Sequence, residues 1–166
     1  PTGATLNPLA AITSIDENLE NPESYVYNLG IQRRFGGDFI LDVAYVGSRG
    51  LKLFINEQLN PFLGFGSPRL FPSRGSVTLR TNGGDSNYNS LQARFERGFK
   101  NGFLMRATYT FSKTIDVANS EVFATTGGTA LGSDPFNRRT DRGLADFDIP
   151  HVFTFTTLVG LPTFGT

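Results

Sequence analysis

Cysteine and tryptophan are absent from this chain, and histidine and methionine occur once each. The missing cysteine removes disulfides, thiolate metal sites and thiol nucleophiles together. Lysine plus arginine equals aspartate plus glutamate at 15 each, a formal net charge of +0. A nucleic-acid binder needs at least a basic stripe, so no nucleic acid is expected as partner. No run approaches the ~18 apolar residues of a membrane-spanning helix, and no signal peptide is seen at Pro1. The hydrophobic share of 39% lies below the roughly 45–50% usual for a globular domain. The chain starts at Pro1 without methionine and stops shortly after Leu161-Pro162, which suggests a piece of a longer protein.

What the chain does have is turn formers and aromatics: Gly 19, Pro 9, Phe 16 and Tyr 5. Residues 1–22 show little periodicity. From Ser24 onward Tyr25, Tyr27, Leu29, Ile31 and Phe35 alternate with Val26, Asn28, Gly30, Gln32 and Arg34. Period two means one apolar and one polar strand face. After Gly36, Gly37 and Asp38, the residues Phe39, Leu41, Val43 and Tyr45 continue an apolar face, with Asp42, Ala44 and Ser48 opposite. Two such runs around a short glycine turn predict a hairpin.

The design recurs. Leu91, Ala93, Phe95, Arg97 and Phe99 alternate with Ser90, Gln92, Arg94 and Glu96, then turn at Lys100, Asn101 and Gly102. Phe103, Met105, Ala107, Tyr109 and Phe111 follow, against Arg106, Thr108, Thr110 and Ser112. Phe35 and Phe99 enter the turns, Phe39 and Phe103 leave them, and Tyr45 and Tyr109 follow at equal spacing, an internal hairpin repeat. The predicted strands are 24–35, 38–48, 87–99, 102–113 and 151–161, with a shorter one at 76–81 that ends at Asn82-Gly83-Gly84.

The connections alternate in length. Short turns at 36–38 and 100–102 contrast with long polar stretches at 49–75 and 115–150. Loops beyond ~12–15 residues are uncommon in compact soluble domains, whereas short turns at one end and long loops at the other are normal for outer-membrane barrels. The main strand lengths suit the ~9–11 residues of a barrel strand. The fold class expected is therefore all-β: antiparallel amphipathic hairpins forming, over 1–166, a single segment of a large outer-membrane β-barrel. Lipid would then meet the apolar face. The lumen would meet Asn28, Gln32, Arg34, Asp42, Gln92, Arg94, Glu96 and Arg106. Two alternatives stay open: a soluble β-sheet binding module or hydrolase with active long loops, and a fragment that self-assembles through open strand edges.

Several segments resemble TonB-dependent receptor barrels, closest to the Oar-like type that often follows a carboxypeptidase-regulatory-like domain. They are Asp16-Glu17-Asn18-Leu19-Glu20-Asn21-Pro22 with Tyr27-Asn28-Leu29-Gly30-Ile31-Gln32-Arg33; Ala44 to Gly50; Ser86 to Gln92; Ala107 to Asp116; and Asp141 to His151. Together they span about 15–162 in family order. Tyr27 stands where the family often has tryptophan, and the tryptophan usual near Phe111 is missing. No plug domain and no TonB-interacting box are found. The resemblance implies uptake of a bulky solute by a parent barrel of roughly 22 strands, in the bacterial outer membrane. The partners expected are the lipid bilayer, lipopolysaccharide, and the rest of the barrel or further copies at the open edges.

His151 with Asp146 and Asp148 could form a base or metal cluster, but a lone histidine at a strand start is more often structural. Ser112-Lys113 lies at a strand end beside Asp116; a serine–lysine nucleophile needs mutual burial and an oxyanion hole, and a strand-end pair facing water is the usual case. Gly47-Ser48-Arg49-Gly50 lacks the spacing of a nucleophile elbow. Gly64-Phe65-Gly66 lacks phosphate-loop length. Asn82-Gly83-Gly84-Asp85 reads as a polar turn before a weak calcium site. No catalytic, cofactor or metal residues are assigned. Arg138, Arg139 and Arg142 could take a ligand or lipopolysaccharide phosphate through arginine forks, although ion pairs to the aspartates around them are the plainer role.

Overall fold

The computed structural model describes residues 7–36, 38–117, 134 and 136–161. Strands dominate: β1 (Ile12–Ile15), β2 (Glu23–Phe35), β3 (Phe39–Gln58), β4 (Val77–Lys100), β5 (Phe103–Asp116), β6 (Gly143–Leu144) and β7 (His151–Val159). A 3-10 turn covers Arg138–Asp141. The strand order is β2-β3-β4-β5-β6, with β1 paired to β4 and β7 to β5. The path does not return to β2, so the sheet is open. The fold is all-β and largely antiparallel. β1 runs parallel to β4, with Ile12 beside Val77 and Ile15 beside Arg80.

Contacts divide the chain into two units, Tyr25–Arg49, Asn87–Ile115 and Asp146–Thr166 forming one and the remaining segments the other. The first holds the repeated hairpins. At the β4–β5 turn both Asn101 (φ 54°) and Gly102 (φ 73°) are left-handed, the combination that matches the right-handed twist of hairpin strands. Gly36 is also left-handed at φ 54°; Gly37, in the same predicted turn, lies outside the described residues. A Cβ on Gly30 would touch Ala44, and one on Gly47 would lie inside the Tyr27 ring. Both neighbours fit one antiparallel register, which sets Gln32 beside Asp42.

The second unit, Pro1–Ser24, Gly50–Ser86 and Asp116–Ala145, departs further from the sequence reading. β3 continues to Gln58, where a loop was expected from Arg49. β4 runs unbroken from Val77 to Lys100, through the Asn82-Gly83-Gly84 predicted to end a short strand at 76–81. The two glycines serve packing instead of turning. A Cβ on Gly84 would lie 2.9 Å from Ile55 Cγ2, and one on Gly83 would strike Ile55 and the Arg138 guanidinium. Mid-strand glycine often marks such close approach. β1 likewise arises inside the stretch read as irregular.

Hydrophobic burial is nearly absent. Among the described residues, Ile55 and Ala145 are the buried apolar side chains, both in the second unit. In the first unit Leu29 is 74% and Ile31 72% exposed, and Phe153, Phe155 and Leu91 are exposed as well. A soluble sandwich would cover one sheet face with a second layer. Here, among the described residues, the aliphatic side chains of the hairpin unit stay exposed.

Candidate functional site

Alternation sends even-numbered residues of β3, β4 and β5 in the hairpin unit to one face, and there the charges meet. Arg94 Nη2 lies 3.0 Å from Asp42 Oδ2, Arg106 Nε 3.0 Å from Glu96 Oε2, and Lys100 Nζ 2.7 Å from Asp38 Oδ2. Asp42, Gln92, Arg94, Thr108 and Thr110 line one shallow concavity. β5 pairs with β7 so that Arg106 stands beside Thr156 and Thr108 beside Thr154, and polarity continues onto the edge strand. The arrangement is a ladder of ion pairs and hydroxyls. Its partly exposed pairs contribute modest stability but give a continuous wettable surface.

The opposite face carries rings. Phe39 stacks on Phe95 with centroids 5.5 Å apart, and the Arg97 guanidinium covers Phe39 at 5.8 Å and Phe103 at 5.4 Å. Towards the other strand ends Tyr27 and Tyr45 sit 6.2 Å apart, and both hydroxyls donate to Asn89 Oδ1, at 3.2 and 2.5 Å. Tyr109 Oη lies 2.8 Å from His151 Nδ1, and the Phe111 ring is 5.1 Å from the imidazole. Leu29, Ile31, Leu41, Val43 and Met105 occupy the strands between these groups. An aliphatic band bordered by phenylalanines at one end and hydroxylated rings at the other matches the aromatic girdles of a lipid-facing barrel surface.

The whole chain, residues 1–166, matches the family described as outer membrane beta barrel domain. The chain belongs to that family. No curated protein sequence matches it. Among solved structures it is similar to the outer membrane transporter YddB from Escherichia coli, with a TM-score of 0.51 at 13% identity. The likeness covers 69% of this chain and 14% of that one, so a short stretch of fold is what the two share. An outer membrane beta barrel domain belongs in the bacterial outer membrane, and the two-faced sheet suits that place.

The residues expected to face the lumen in this beta barrel domain fall into two groups. Asp42, Gln92, Arg94, Glu96 and Arg106 are brought together on the ladder. Asn28, Gln32 and Arg34 lie on the exposed strand β2, where register carries Gln32 to Asp42. In the other unit Arg138 pairs with Glu57, and Arg142 Nη1 with Asp85 Oδ2 at 2.6 Å, while Arg139 is exposed in the 3-10 turn. Asp148 Oδ1 accepts from the Thr114 amide at 2.7 Å, and Ser112 Oγ donates to the Ile149 carbonyl at 3.0 Å.

Two arrangements escape the sequence reading. Asn60, 1% exposed, organises the loop 59–76. Its Nδ2 donates to the carbonyls of Phe71 and Arg74 at 3.1 Å and of Gly75 at 2.8 Å, and its Oδ1 accepts from the Phe71 amide at 2.7 Å. Lys52 has a left-handed backbone (φ 56°), and its ammonium lies 2.5 Å from Glu20 Oε2 and 2.7 Å from Glu23 Oε1. Asn82 fastens the same strap: it accepts from the Glu20 amide at 2.7 Å and donates to the carbonyls of Glu20 and Lys52. These carboxylates hold the Lys52 pKa above the ordinary lysine value, Glu20 contributing most and Glu23 next.

Proposed function

We propose that this chain forms part of the wall of a TonB-dependent-receptor-like transporter, a pore for uptake of a bulky solute, and performs no catalysis itself. The carrying observation is that one sheet face holds the Asp42–Arg94 and Glu96–Arg106 ladder while the other holds rings and aliphatic side chains. A water-filled lumen accounts for the first and lipid for the second. The resemblance at 16–22, 27–33, 44–50, 86–92, 107–116 and 141–151 supports the TonB-dependent type, and the name of the similar transporter supports transport.

In this reading the turns at 36–38 and 101–102 face the periplasm and the long connections face outward. Among the described residues, no strand pairs with the outer sides of β2 and β7, and a barrel in lipid leaves no such edge open. These edges would pair with further strands of the parent barrel, or with other copies of this chain. Arg138, Arg139 and Arg142 are candidates for contact with solute or lipopolysaccharide phosphate.

The test uses the absence of cysteine. Single cysteines replace Gln32, Gln92, Leu29 and Leu41 in the parent barrel on intact cells, and a charged, water-soluble maleimide is added. Labelling at 32 and 92 with none at 29 and 41 is expected. Labelling of both sets, or of the leucine positions alone, would remove the pore-wall assignment.

A further inference from the structure

We propose that the loop 59–76 is a binding site for a small organic anion with a flat apolar body. The loop is held rigidly from within. Besides the Asn60 bonds, Gln58 Oε1 accepts from the amides of Asn60 at 3.1 Å and Val77 at 2.9 Å, which closes the loop's base. Yet this ordered loop leaves Phe62, Leu63, Phe65 and Phe71 in water. Exposed large apolar side chains on one hydrogen-bonded loop point to a surface for a ligand.

The lining says what kind of molecule. Leu9, Phe62, Pro68, Arg69, Pro72 and Arg74 border one concavity, and Arg74 borders a second with Leu59 and Phe71. From Gln58 to Gly84 the sequence has three arginines and no aspartate, glutamate or lysine, and residues 7–15 carry no charge. Arg69 and Arg74 are the charged residues lining the two concavities, and neither lining includes a carboxylate. Arg69 is already oriented: its guanidinium lies 4.1 Å above the Phe62 ring, and Nη1 donates to the Asn60 carbonyl at 2.7 Å. A pre-set guanidinium beside a ring and two prolines fits a carboxylate joined to an aromatic body. The inference goes beyond the pore-wall reading. Binding requires only the folded loop, so the labelling experiment above and the one below can fail independently.

The probe is 2-naphthoate, compared with the uncharged 2-naphthamide, in equilibrium dialysis against the full chain in non-ionic detergent micelles, with empty micelles as blank. Saturable naphthoate binding is expected, weakened about tenfold by Arg74→Gln, the range of one charge-assisted contact. Arg33→Gln, which removes the same charge in the other unit, leaves it unchanged. Because Arg69 also props the loop, Arg69→Gln is read together with its chymotryptic pattern, which the substitution leaves without a lost cleavage site, and a similar loss of binding with an unaltered pattern supports the site. The proposal is overturned if naphthamide binds as tightly as naphthoate. It is equally overturned if both arginine variants bind normally, or if uptake does not exceed the micelle blank.

Discussion

Arg94 reaches across from β4 to Asp42 on β3, its Nη2 3.0 Å from Oδ2, while the neighbouring position on β3, Leu41, belongs to the face where Phe39 stacks on Phe95. One residue of register separates a charge from an aliphatic side chain, and a one-residue slip would exchange the two faces completely.

That relationship sets the first prediction. In a refolded barrel, Leu41→Arg is expected to cost about 2–4 kcal/mol, the penalty for an arginine at the bilayer midplane. Gln32→Arg, on the ladder face, is nearly silent. Asp42→Asn falls in the range of about 0–1 kcal/mol, since the pair with Arg94 is partly exposed and screened. Urea titration in lipid vesicles measures all three.

Asn60 supports a second. Asn60→Ala removes the partner of the Phe71 amide and of three carbonyls, at about 1–3 kcal/mol for each buried group left unpaired. The loss is expected to stay within the loop. Trypsin should then cut after Arg69 and Arg74 at least several times faster than in the parent chain, while the hairpin strands keep their β-sheet circular dichroism.

Lys52 gives a pH prediction. Its folded pKa is raised by Glu20 and Glu23, so the stabilisation is complete below the ordinary lysine value and is lost as pH rises through the higher folded value. At pH 9 the Lys52 amine should acylate more slowly than the other lysines, by mass spectrometry after brief exposure to an amine reagent. Glu20→Gln with Glu23→Gln should abolish that protection. Equal reactivity in the unmodified chain would show that the strap is open in solution.

The strands of the hairpin unit are legible in the sequence because a pleated strand imposes period two on its side chains, and Tyr25 to Phe35 and Phe103 to Phe111 keep it. The ladder's membership follows from the same parity. Its actual partners do not, since which arginine meets which carboxylate depends on register and on the left-handed pair Asn101-Gly102. Gly83-Gly84 misleads for a physical reason: the residue that permits a turn also permits Ile55 and Arg138 to approach the backbone. β1 is illegible locally, four residues whose strand state comes from pairing with Val77–Arg80, far along the chain. Asn60 is hidden the same way, because its bonds run to residues 71–75 and no periodic signal marks them.

The central claim is that one sheet face meets lipid and the other water. A chain without tryptophan offers a direct measurement: Leu29→Trp and Gln32→Trp, each refolded into vesicles containing lipids brominated on their acyl chains. Strong quenching of fluorescence at position 29 and weak quenching at 32 is the predicted result. Equal quenching at both positions, or none at 29, would contradict the two-faced wall.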